Sequence, residues 1–267
     1  MLTVRALRKA ADEAELAAEP LVSPTAFPGS EDPLGLRPHT MWVGSAEALA
    51  LLGVQSGNKA TVKELAAAVA GQHVVSGASA RTDGEAFDLT FVAPTSVSWV
   101  WAQGDADLRE ELEQVVMQAA YASLQHLTRT RPVIGNIAPA QGLAAALALH
   151  AVGQRPPWSQ APLPLLHVHG YLVGVLDESG ILRGPDRQAL QEQSMTRECG
   201  ALGRARLAQH LRDLGFEINA RTGPGGRSFE IAGVPEGLLA MGRSADKGCA
   251  GLGRETDQDP WEVREVF

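Results

Sequence analysis

Long apolar runs are missing from this sequence. No stretch approaches the roughly 20 residues needed to span a bilayer, and the opening MLTVRALRKAADEAE turns acidic where a secretory leader keeps an unbroken apolar segment. The expectation is a cytoplasmic chain with no membrane span. Cysteine is nearly absent: Cys199 and Cys249 have no CxxC or Cys/His spacing, which removes a disulfide framework or thiolate metal site and suits a reducing compartment. Aromatic residues make up 5%, and the tyrosines are two, Tyr121 and Tyr171. A basic excess is also lacking. The formal net charge is −8, whereas a protein that neutralises phosphates usually carries the opposite sign. A local basic surface stays open as an expectation, because acids concentrate in residues 105–113 while arginines gather elsewhere, at Arg129 and Arg131 and again at Arg183, Arg187, Arg197, Arg204 and Arg206.

What is present is a chain of 267 residues, 45% apolar, which is enough for a sizeable core. Residues 20–40 hold five prolines and two glycines without periodic apolar pattern and read as a loop. SAEALALLG, with Ser45 as N-cap and Gly53 as stop, and ATVKELAAAVAG, ending at Gly71, read as two short helices. AFDLTFVA alternates, with Phe87, Leu89 and Phe91 on one face and Asp88 and Thr90 on the other, so it reads as a strand. Leu108, Leu112, Val115, Val116, Ala119, Ala120 and Leu124 recur at helical spacing over 105–126. Residues 163–176 form a strand that enters a turn at DESG, and 186–215 a long helix interrupted near Gly200 and Gly203 and stopped at Gly215. GLAAALALH is ambiguous: alanine favours helix, while its length permits a buried strand. Residues after about 240 form a glycine- and charge-rich tail.

His167 and His169 are one residue apart in a strand, so both imidazoles leave the same face about 6.5–7 Å apart along the backbone. That spacing suits a pair of metal ligands, and His150 is the nearest upstream third nitrogen. HxH pairs also arise in strands by chance, and spacing alone does not separate the two origins.

Several segments, in order, resemble the TrwC/TraI-type relaxases of the MobF family, which belong to the HUH endonucleases. Trp42-Val43-Gly44 with the helix after it resembles that family's early tryptophan segment, and FDLTFVAPTSVS at 87–98 resembles its FDLTFSAPKSVS motif. Residues 142–150 followed by His167-Val168-His169 resemble its histidine strands, and GVPEGLL at 233–239 a short downstream motif. The resemblance implies an α+β fold, a central antiparallel sheet with helices packed on its outer side, over residues 1–240, of which 1–40 form a variable segment and loop. It also implies that residues 142–150 are a strand. The site it implies is one divalent ion (Mg²⁺, Mn²⁺, Zn²⁺ or Ni²⁺) on His150, His167 and His169, with Asp88 orienting a ligand or assisting proton transfer.

The implied partner is single-stranded origin DNA next to a hairpin, and the implied activity is its nicking and transfer by a tyrosine in the first thirty residues. Neither Tyr121 nor Tyr171 lies there. Tyr171, on the face of the metal histidines, is the better substitute, beside Ser23, Thr25 or a metal-activated water. Thr95 stands where the motif commonly has lysine, which points to weaker phosphate contact. Trp158, in the loop between His150 and His167, stacks on a base or folds the loop back. Three readings follow. One is a relaxase-like protein that binds and cuts single-stranded DNA. Another is a degenerate DNA- or protein-binding module working with an active relaxase in trans. The last is an unrelated three-histidine metalloenzyme. Unwinding would fall to a helicase on another chain.

Overall fold

A computed structural model describes residues 2–7, 40–130, 132–134, 138–152, 163–223 and 226–242. Arg131, Trp158, Ser23, Thr25 and the tail from 243 onward lie outside them, as does the side chain of Arg129. No helix among the described residues is long and apolar enough to cross a membrane.

The centre is an antiparallel sheet. Its strands are β1 (Leu2–Ala6), β2 (Thr40–Gly44), β3 (Phe87–Val92), β6 (Gly142–Val152) and β7 (Pro164–Leu176), and the order across it is β1-β3-β7-β6-β2. Two short strands, β4 (Pro132–Ile134) and β5 (Ala138–Pro139), pair with each other, and β8 (Leu182–Arg183) adds to β7 after the Asp177–Gly180 turn. The long strands are covered on both sides, as the unbroken burial of Phe87–Val92 and Pro164–Leu176 records.

On one side lie α4 (Ala106–Thr130) and α6 (Gln193–Asp213). Phe87, Leu89, Phe91, Leu147, Leu149 and Val168 meet Leu112, Val116, Leu207 and Leu211 there. This is the expected outer helical layer. A smaller core fills part of the opposite face, where Ala144, Ala146, Ala148, Tyr171 and Val173 pack with Trp42 against α1 (Ala46–Leu52) and α2 (Val62–Val69). These alternations resolve the ambiguity of 142–150. Leu143, Leu147 and Leu149 face the large helices while Ala144, Ala146 and Ala148 give room to α1 and Trp42, so the period is two despite the helical propensity of alanine. Caps support the small helices: Ser45 Oγ accepts from Ala48 N at 3.3 Å, and Thr61 and Glu64 form a reciprocal capping box.

The helix expected over 186–215 departs from expectation in one respect. It breaks at Glu192, between α5 (Arg187–Gln191) and α6, and runs unbroken through Gly200 and Gly203. Those glycines are contact points. A Cβ on Gly203 would stand 2.2 Å from Ser123 Oγ and 2.6 Å from Phe91 Cε2, so only hydrogen lets α6 meet α4 and β3 this closely. Gly203→Ala gains about 1 kcal/mol of helix propensity but overpacks a core that resists at about 1–3 kcal/mol. With two contacts this short the clash wins, and urea unfolding should show a net loss of about 1–2 kcal/mol; a variant as stable as the parent would mean the helices can separate.

After β3 the chain turns at Pro94 into α3 (Thr95–Gln103), whose N-terminus receives Glu230 from the hairpin β9 (Ile218–Gly223) and β10 (Gly226–Ile231): Ser96 N donates to Glu230 Oε2 at 2.8 Å. Residues 236–242 end the described chain as a short helix. Trp101 fills the core, with Nε1 donating to Glu113 Oε1 at 2.9 Å. Trp99 is half-buried and donates to Leu238 O at 3.0 Å, which pins the last helix.

Candidate metal centre

Strand register assembles the site. His150 on β6 pairs directly with His167 on β7, and His169 lies between Ala148 on β6 and Thr90 on β3. Cross-strand partners share a face, so these three imidazoles, Asp88 and Thr90 all point to the side away from α4 and α6. The rings form a nearly equilateral group, with centroids 5.3 Å (His150–His167), 5.0 Å (His150–His169) and 5.1 Å (His167–His169) apart. One nitrogen from each lies within 4.8 Å of the others. An ion bound by three imidazoles at ~2.0–2.1 Å draws on nitrogens converging in this way.

Hydrogen bonds decide which nitrogens are offered. His167 Nδ1 lies 2.9 Å from Leu165 O; a carbonyl only accepts, so Nδ1 carries the proton and Nε2 keeps its lone pair. His169 Nδ1 lies 2.8 Å from Asp88 Oδ2. Burial alone would raise the Asp88 carboxyl, but His169 and Arg5 beside it outweigh that and hold it below the usual carboxylate range. The carboxylate therefore accepts from His169 Nδ1 and leaves Nε2 bare. His150 Nε2 is buried and has no hydrogen-bond partner among the described residues, an arrangement that costs about 1–3 kcal/mol unless something fills it.

Burial first, then the charges of His169 and His167, hold His150 well below its ordinary value near 6.5, and burial with the His169 charge pushes His167 down to about 4. Both are neutral at physiological pH, the state in which imidazole binds a cation. This donor set fits a divalent ion. Asp88→Asn keeps the shape but withdraws the negative acceptor from His169, so metal affinity should fall about 10–100-fold. Calorimetric titration of Mn²⁺ into both proteins checks this, and equal affinities would make Asp88 irrelevant to the ligands.

Tyr171 lies on the face of the triad, as its alternation with His167 and His169 predicts. It is fully buried in the smaller core, stacked beside His169 at 5.8 Å between centroids and 11° between planes. Tyr121 packs on the outer helical side, away from the triad. Thr95 is buried and lies against Gly242, where an added Cβ would come within 2.1 Å of Thr95 Cγ2. The Thr95 side chain is therefore a packing contact of the last helix. Of the arginines, Arg183 is paired with Asp83 and Asp177, and Arg187 with Glu85. These pairs answer part of the expected basic surface with acid. Arg5, which sequence reading passed over, bonds to Asp88 across the β1–β3 pairing; Val4 and Ala6 packing into the core on either side of it is the only trace in the sequence.

An antiparallel sheet presenting an HxH pair and a third histidine on one face, with a carboxylate behind one ligand, defines a histidine-based metal-site fold. The chain belongs to the TrwC relaxase family, whose model matches residues 34–243. Among solved structures, the metal-bound complex of the conjugative relaxase TrwC with oriT DNA is similar, with TM-score 0.64 and 24% identity over 97% of this chain and 86% of that one. A copper-bound TrwC–oriT complex gives the same values. TrwC with a 27-mer comprising the recognition hairpin and the cleavage site gives TM-score 0.62 and 22% identity over the same shares. No curated protein sequence matches the chain.

Proposed function

We propose that this protein binds single-stranded transfer-origin DNA beside a hairpin and cuts it at a site built on His150, His167 and His169. The observation that carries the reading is the triad itself: three buried imidazoles with ring nitrogens converging, of which His150 Nε2 is buried without a partner among the described residues. A divalent ion held there supplies Lewis-acid neutralisation of a phosphate oxygen. His167 and His169 are oriented by Leu165 O and Asp88, so each offers Nε2 to that ion. Thr90 Oγ1 donates to Asp88 Oδ1 at 3.4 Å and helps hold the carboxylate beside His169.

The nucleophile in this reading is water rather than Tyr171, whose phenol is enclosed. The enclosure of the Tyr171 phenol and the position of Tyr121 on the other side of the sheet favour, as a second reading, a module that binds DNA without cutting it and serves an active relaxase in trans. Incubating the protein, beside His167→Ala, with a labelled transfer-origin oligonucleotide and Mn²⁺ or Mg²⁺ separates them on a denaturing gel. Free cleavage products lost in the variant support hydrolysis, and a protein-linked product would restore a side-chain nucleophile. Intact DNA despite binding supports the second reading.

A further inference from the structure

The polar face around the triad extends to the sheet edge. Arg5 on β1 is in register with Asp88 on β3, which is in register with Tyr171 on β7. Leu2, Val4 and Ala6 pack toward the large helices, so alternation sends Arg5 to the triad's side. There Arg5 Nη2 donates to Asp88 Oδ2 at 3.4 Å, the oxygen that His169 Nδ1 meets at 2.8 Å. Thr90 Oγ1 holds the other oxygen at 3.4 Å. Asp88 is 2% exposed at its side chain and Arg5 35%.

We propose that Arg5 is a positioning residue of the metal site: it fixes the Asp88 carboxylate from the edge-strand side, and through it aims His169 Nε2 into the triad. The inference rests on the metal reading above. Its physical ground is that His169 and Thr90 hold Asp88 from the β7 side and from its own strand, leaving the β1 side for Arg5 to close. A buried carboxylate shared between two donors also needs compensating charge, and Arg5 brings it at the edge of the sheet without itself being buried. The contact is made by one nitrogen, so a point charge of similar reach can replace the guanidinium.

Cobalt(II) titration, followed by the visible absorption of the bound ion, tests this with Arg5→Gln and Arg5→Lys. Arg5→Gln should bind about tenfold more weakly with an altered band shape, since a ligand's outer partner is worth about 10–100-fold. Arg5→Lys should recover most of the affinity and the parental band. Metal-free urea unfolding of both variants is measured alongside, so that a change in metal affinity is read against any change in the stability of the sheet. Parental affinity and spectrum in Arg5→Gln, or tighter binding, overturns the role of Arg5 alone. So does a loss that Lys fails to recover and that tracks a fall in metal-free stability, because Arg5 would then serve only the sheet. A parent protein that takes up no cobalt overturns the metal reading, and the role of Arg5 with it.

Discussion

Replacing His150 with alanine should abolish the stabilisation that a divalent ion gives this protein while leaving the metal-free protein nearly as stable as before. A ligand that binds only the folded state adds about 2.7 kcal/mol when present at 100 times its Kd. In a domain of this size that raises Tm by about 5–10 °C. His150 contributes one of three converging nitrogens. Its loss should weaken binding by at least the upper end of the about 10–100-fold range seen when an outer partner is removed. A hundredfold rise in Kd at the same metal concentration leaves only about 0.4 kcal/mol of stabilisation.

The metal-free protein responds differently because two effects oppose. Alanine leaves a cavity, yet it also removes the His150 Nε2 that is buried without a partner, a burden of about 1–3 kcal/mol. Melting both proteins with chelator and with Mn²⁺ measures the two terms separately. An unchanged metal shift in His150→Ala would place the ion elsewhere.

How much of this was legible beforehand depended on the range of the interaction. The β3 strand and the HxH strand are legible from period-two alternation, which is local, and the two short helices from Ser45 and the stops at Gly53 and Gly71. The strand at 142–150 was not settled by propensity, since its alternation hides in alanines whose small size matters only against Trp42 and α1. Gly200 and Gly203 read as breaks in sequence because a glycine's local cost is visible there, whereas the close contact of Gly203 with Phe91 and Ser123 is not. Asp88 was placed on the correct face, but its bond to Arg5 spans 83 residues and depends on register. Likewise, Tyr171 was placed on the triad's face, while its burial came from α1 and α2 closing over that part of the sheet.

Acid should begin to destabilise the metal-free protein near pH 6.5, above the range where carboxylates titrate. His167 has an ordinary value of 6.5 and is pushed down to about 4 in the fold. Between those limits the unfolded chain binds a proton that the folded state refuses, so stability rises with pH there. The contribution is fully present above pH about 6.5, is lost as pH falls through about 4, and levels off below. The fall from 6.5 to about 4 corresponds to roughly 3 kcal/mol at about 1.4 kcal/mol per tenfold change in proton affinity, a large part of a typical ~5–15 kcal/mol. His150, lowered for the same reasons, adds in the same direction. Asp88 acts at lower pH, since its carboxyl is held below 3.8 and its contribution disappears only as pH falls through that depressed value. Urea unfolding across this window in chelator should show the slope, and His167→Gln, which cannot take up the proton, should flatten part of it. Identical slopes in the two proteins would mean that His167 is not kept neutral by the fold, and the case for three ready ligands at neutral pH would lose one of its supports.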